Sequence, residues 1–176
     1  MIITLISDTH TKHREISNDL PGGNLLIHAG DLMNSGRNPV DINQFCKWFD
    51  GLEQYDTKVF IAGNHDRIFE TDPEMASEIY TSYKNIDYLQ DDRLDLWDED
   101  DQQTVIYGSP WQPEFYSWAF NLPRCGPGLS TKWEAIPKDT DILITHGPPQ
   151  DHLDMSGPPY NEPHLGCELL REKVDE

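Results

Sequence analysis

Four short apolar runs, each followed at once by a turn that carries Asp, Asn or His, constrain this chain more than any other feature. Residues 2–6 lead into Ser7-Asp8-Thr9-His10, residues 24–28 into Ala29-Gly30-Asp31, residues 58–62 into Gly63-Asn64-His65-Asp66, and residues 141–145 into His146-Gly147-Pro148-Pro149. Runs this short, mostly apolar and bounded by turn formers, read as strands buried on both faces. A fifth run, residues 104–107, has the same character. In α/β sheets ligands gather in the crevice outside the carboxyl ends of the strands. The pattern therefore predicts an α/β fold in which four polar loops converge on one place.

Between the strands, Ile42, Phe45, Cys46, Phe49 and Leu52 recur at helical spacing, with Asp41 placed to cap and Gly51 to stop a covering helix. Residues 72–83, with Met75, Ile79 and Tyr83 on one stripe, predict a second helix, and residues 168–174 an amphipathic third. Asp91, Asp92, Asp95, Asp98, Glu99, Asp100 and Asp101 precede the run at 104 and read as a solvated acidic loop, since the spacing of a calcium-binding EF-hand is absent. The 25 Pro and Gly residues are scattered among short loops, there is no repeat, and 176 residues are enough for one core, so a single domain over residues 1–176 is expected.

Thirteen Lys and Arg against 32 Asp and Glu leave a net charge of −19, which disfavours general binding to nucleic-acid backbones or anionic membranes. No run of about 18 apolar residues offers a membrane span, and Met1 enters a strand-like segment without a basic signal-peptide region, so a cytoplasmic protein is expected. Cys46, Cys125 and Cys167 are odd in number and form no CxxC pair, consistent with ordinary buried or half-buried thiols.

The chemistry rests on five donors at the four strand ends. Asp8 and His10 stand two apart, so in extended chain they project to one side. Asp31 adds a carboxylate able to bridge two ions, Asn64 an amide oxygen and His146 an imidazole nitrogen. Oxygen and nitrogen donors without sulfur suit Mn²⁺, Fe or Zn²⁺. Each residue alone is commonly structural, as a cap or a core hydrogen bond. Five suitable donors at four strand ends point to a metal centre.

Taken in order, Ser7-Asp8-Thr9-His10, Gly30-Asp31, Gly63-Asn64-His65-Asp66 and Thr145-His146-Gly147 resemble the D-x-H, G-D, G-N-H-[DE] and [ST]-H-G blocks of the calcineurin-like metallophosphoesterases. Ile27-His28-Ala29-Gly30-Asp31, Tyr107-Gly108-Ser109-Pro110-Trp111-Gln112-Pro113 and Thr145-His146-Gly147-Pro148-Pro149 are similar to the small metallophosphoesterase-domain-containing subgroup. The resemblance implies a sandwich of two mixed β-sheets flanked by helices, with two divalent transition-metal ions at the strand ends. Position by position it assigns Asp8 and His10 to the first ion, Asp31 to the bridge, and Asn64 and His146 to the second. It further implies in-line attack on phosphorus by a metal-bound hydroxide, bound cations bringing water's pKa toward ~7. His65 would serve as catalytic acid and, with Asn64, contact substrate. Asp66 would orient it, as a carboxylate often fixes an imidazole tautomer.

Around this centre, Trp111 is a candidate to stack on a base or wall the pocket, Trp118 and Phe120 read as packing, and Arg67 as a phosphate contact or surface salt bridge. His13 and Arg14 read as exposed-loop residues within reach of substrate, and His28 as a core or supporting hydrogen-bonding residue.

The resemblance breaks at one point: the family's closing G-H-x-H block and its strand are not found, and no H-x-H occurs. The missing donors would come from water, from His152 or His164, or from another polypeptide, leaving occupancy of one or both metal positions open. Loss of a strand predicts an open sheet edge and uncovered apolar surface. Two functions follow. The first is a metal-dependent phosphoesterase acting on a small phosphodiester or phosphomonoester, cyclic nucleotides being favoured. The second is a weakly active or inactive metal- or nucleotide-binding protein that self-associates or completes a partner.

Overall fold

The computed structural model describes residues 1–156 and 164–176. Four parallel strands, β1 (Ile3–Ile6), β2 (Gly23–Ala29), β3 (Tyr55–Ile61) and β4 (Asp87–Tyr88), form one sheet in the order β1-β2-β3-β4. A second, mixed sheet has β6 (Gln103–Ser109) at its centre, antiparallel to β5 (Asp92–Trp97) and parallel to β9 (Ile142–Thr145). A two-stranded ribbon joins β7 (Gln112–Pro113) to β8 (Asn121–Leu122). The helices are α1 (Pro39–Asp50), α2 (Arg67–Thr71), α3 (Pro73–Tyr80), α4 (Pro127–Glu134) and α5 (Glu168–Val174), with a 3-10 segment over His13–Asp19.

Strand alternation assigns the layers. Leu25 and Ile27 of β2 and Val59 and Ile61 of β3 meet Ile106 of β6 and Ile144 of β9 between the sheets. The residues between them turn outward: Leu26 and Phe60 pack under α1, whose Ile42, Phe45, Cys46 and Phe49 are all fully buried. On the far side Tyr107 lies against Leu129 and Trp133 of α4 and Leu170 of α5. A helix, sheet, sheet, helix sandwich results, because parallel strands covered on both faces need apolar side chains at every position.

All five expected strands and three expected helices form, with no end shifted by more than three residues. The acidic segment differs from expectation. Asp92–Trp97 is strand β5, pairing Leu94 with Ile106 and Leu96 with Thr104, and only the tip beyond it is loop. Its period-2 alternation of Leu with charged residues outweighs its acidity, because only one face is buried. The sequence expectations also omit α2 and the short strands, which are too brief to show a period, and α4, whose apolar stripe is only Leu129 and Trp133.

The second sheet lies over β2 and β3 but not over β1, so Leu5 stays 70% exposed and Ile3 38%. Among the described residues β9 has only β6 beside it. Cys46 and Cys167 are buried and Cys125 is exposed, all three free. No helix among the described residues is long and apolar enough to cross a membrane.

Two histidines lie inside. His13, expected in an exposed loop, is buried against Trp48 and Phe45. His28 is fully buried against Phe45 and Phe49. Burial opposes the charged form, lowering His13 to about 4 and His28 to about 3. The unfolded chain protonates near 6.5 while the folded chain refuses the proton until well below, so His28's contribution to stability falls as pH drops through 6.5 toward 3. Between pH 7 and pH 5, wild type should lose about 2 kcal/mol relative to His28→Leu. Urea denaturation at both pH values measures this, and an unchanged difference would show that the ring is not held neutral.

Candidate metal centre

The carboxyl ends of β1, β2, β3 and β9 bring Asp8, His10, Asp31, Asn64, His65 and His146 to one rim. The first two loops are joined along their backbones: the N–H groups of Asp8, His10 and Thr11 donate to the carbonyls of Gly30, Asp31 and Leu32 at 3.0, 3.0 and 2.9 Å. To achieve this, Asp8, His10, Thr11 and Asp31 all take left-handed backbone, with φ of 54, 42, 67 and 59°. Such conformations in non-glycine residues cost energy and persist where the surroundings over-determine them, as at functional sites.

Asp31 is the hub. Its carboxylate lies 3.6 Å from His10 Nε2 and 3.5 Å from His146 Nε2, and it accepts the His65 backbone N–H at 2.7 Å. Two donor groups share it: His10, Asp31 and His65, and Asp8, Asp31 and His146, the atoms of each within 4.8 Å of one another. Asn64 Oδ1 lies 3.0 Å from His146 Nε2, and Asp8 Oδ1 4.0 Å from His10 Nε2. Ser7 Oγ donates to the outer oxygen of Asp8, which is exposed.

Each of the three imidazoles is held through Nδ1 on a backbone carbonyl: His10 on Met33 at 3.0 Å, His146 on Ala29 at 2.8 Å and His65 on Asn34 at 2.5 Å. A carbonyl only accepts, so Nδ1 carries a proton, and Nε2 is the ring atom left to offer a lone pair. Two of these lone pairs face the Asp31 carboxylate across 3.5–3.6 Å. Acceptor facing acceptor is repulsive unless a cation lies between them, and tautomers fixed by a second hydrogen bond are the usual dressing of metal-ligating histidines. The residues fit divalent ions.

Asp66 departs from its expected role. It does not orient His65, because both its oxygens are taken by backbone N–H groups: Gly63 at 2.7 Å, Met33 at 2.8 Å, Asp31 at 2.9 Å and Leu32 at 3.3 Å. The carboxylate is completely buried beneath Asp31 and ties the β2 and β3 loops together. Burial and the nearby Asp31 charge raise its pKa, and the N–H donors of Gly63 and Met33 oppose that rise.

Trp111 is also placed apart from its expected role. Its indole N–H donates to Asp91 at 2.8 Å, Lys132 lies over its ring and Phe120 meets it edge-on, so its recorded contacts are packing and a salt-bridge network. Trp118 is the aromatic at the centre: it stacks on His65 with ring centroids 4.0 Å apart, and Arg67 lies 5.3 Å from its ring while bonding the Ser117 carbonyl. The loop is held by the Ala119 N–H donating to the Asn64 carbonyl at 3.0 Å. No spacing in the sequence distinguishes Trp118 from Trp111; both sit in one aromatic loop. His164 bonds Asp154 at 2.9 Å, which raises its pKa, and His152 lies 3.9 Å from Asp175, so neither joins the donor groups.

A four-layer α/β sandwich with this donor set has the make-up of a two-cation centre built on strand-end loops. Residues 1–175 match the family model described as calcineurin-like phosphoesterase, and the chain belongs to that family. It is 40% identical over 183 residues to Metallophosphoesterase domain-containing protein 1 of Homo sapiens and of Mus musculus, covering 94% of this chain and 53% of each of those proteins. It is 35% identical over 175 residues to the Probable rhamnogalacturonate lyase C of Emericella nidulans, covering 98% of this chain and 15% of that protein. The chain thus spans about half the length of the human and mouse relatives. The crystal structure of TT1561 of Thermus thermophilus superposes with a TM-score of 0.63 at 14% identity, covering 98% of this chain and 76% of that one, which supports the fold.

Proposed function

We propose that the chain is a metal-dependent phosphoesterase that hydrolyses small phosphodiesters or phosphomonoesters. The observation that carries this reading is the pair of Nε2 atoms of His10 and His146 facing one buried carboxylate, Asp31. Asp8, His10 and Asp31 would hold one ion, and Asp31, Asn64 and His146 the other, with Mn²⁺, Fe and Zn²⁺ all compatible with the donors. Divalent cations there would lower the pKa of water toward ~7 and neutralise phosphoryl charge.

The chain's own residues supply the rest. His65 lies between the His10 ring, edge-on at 4.7 Å, and Trp118. With Nδ1 on the Asn34 carbonyl, Nε2 is the ring atom left to face the leaving oxygen, and the ring would give it a proton when Nε2 is protonated as well. Asn64, beside it, would contact the phosphoryl group. The net charge of −19 favours small substrates, since a long polyanion meets repulsion everywhere outside the centre.

Metal analysis should find one to two transition-metal ions per chain, and chelation should abolish hydrolysis of a chromogenic bis-phosphodiester, with Mn²⁺ restoring it. His65→Ala should keep its metal and lose turnover by about 100-fold or more. Metal-free protein with chelator-resistant hydrolysis would overturn the proposal.

A further inference from the structure

We infer that His28 is a positioning residue for the candidate metal centre, acting through its hydrogen bond to Thr9. This inference rests on the metal-centre reading above. Thr9 is the residue between Asp8 and His10, and both it and its partner are buried. Thr9 Oγ1 lies 2.9 Å from His28 Nε2, the side-chain tie from this loop down into the β2 strand. Its neighbours on either side, Asp8, His10 and Thr11, are the left-handed residues of the loop. A run of conformations this unfavourable holds only where several contacts agree. The backbone bonds to Gly30, Asp31 and Leu32 hold the loop from one side. The Thr9 hydroxyl holds it from beneath.

Packing alone gives a poor account of the imidazole. His28 Nδ1 is buried without a hydrogen-bond partner, and the ring lies among Phe45 and Phe49. An orphaned buried polar atom costs free energy that an apolar side chain would avoid. Leucine or phenylalanine would fill that space without an orphan, whereas only a residue with a polar atom at the Nε2 position can reach Thr9. The sequence shows only a histidine inside an apolar strand, and the register that sets it under Thr9 comes from the β1 and β2 pairing, in which Ile6 lies opposite His28.

The test is a double-mutant cycle on Mn²⁺ affinity, measured by titration calorimetry on metal-free protein at a temperature where every variant is folded by circular dichroism. Thr9→Val keeps the shape of the side chain and removes the bond. His28→Leu removes it from the other end, and His28→Gln retains a polar group at the reach of Nε2. Thr9→Val and His28→Leu should each weaken binding by about 10-fold or more. The double variant should be no weaker than the weaker single, and His28→Gln should recover most of the affinity. If wild type binds Mn²⁺ while Thr9→Val binds it equally well, the positioning role is wrong. Melting temperatures that fall with affinity unchanged would assign His28 to packing alone and overturn the inference. A wild-type protein that binds no divalent ion would overturn the metal-centre reading itself.

Discussion

Asp66→Ala should be among the most damaging single substitutions in this chain, lowering unfolding free energy by on the order of 5 kcal/mol. The carboxylate accepts four backbone N–H groups, from Asp31, Leu32, Met33 and Gly63, and is fully buried. Its removal leaves those donors without partners in a place that water reaches poorly, and each orphan costs about 1–3 kcal/mol. Partial collapse of the loops recovers part of that sum. A loss of this size is comparable to the whole stability of many domains. Asp66→Asn, which keeps one oxygen and turns an N–H₂ toward the remaining donors, should lie between the two. Urea denaturation of the metal-free protein measures the effect. A loss under about 1 kcal/mol would show that the four bonds do not hold the β2 and β3 loops together.

The second large effect separates two glycines of the polar loops. A Cβ added at Gly63 would lie 2.3 Å from Asp31 Oδ1, 2.4 Å from the Asp31 nitrogen and 2.7 Å from His146 Cε1. All three atoms belong to residues proposed to hold the ions, two in their side chains and one in fixed backbone, so no free side-chain end can give way. Gly63→Ala should push Asp31 and His146 apart and weaken Mn²⁺ binding by on the order of 100-fold, with a fall in stability. At Gly147 the same methyl would meet only Gln112 Cβ at 3.5 Å and Gln112 Oε1 at 3.7 Å, which is ordinary contact. Gly147→Ala should therefore bind Mn²⁺ within about threefold of wild type. Calorimetric titration of both variants decides it: equal affinities would mean that close approach at Gly63 does not shape the centre.

The two glycines look alike in sequence, each standing next to a proposed ligand in a strand-end turn. What differs is the loop opposite. Gly63 is crossed by the loop of β2 and by His146, more than 30 and 80 positions away along the chain, and nothing local reports that crossing. The same limit explains the two aromatic residues. Trp111 and Trp118 lie seven positions apart, and only the folded loop puts one on Asp91 and the other on His65.

By contrast, the strands and the donors at their ends were legible from residues alone. Buried parallel strands show as unbroken apolar runs, and the loops that leave their carboxyl ends must carry whatever polar groups the fold brings to its rim. Asp8, His10, Asp31, Asn64 and His146 stand on such loops and do converge, with His65 among them. Tertiary structure alone decided how they are held. The carbonyls of Met33, Ala29 and Asn34 set the tautomers of the three histidines, Asp66 binds backbone instead of His65, and Thr9 reaches His28. Backbone carbonyls and N–H groups are the same in every residue but proline, so a sequence cannot show which of them a side chain will meet. Only chain segments brought together across the sheet determine that.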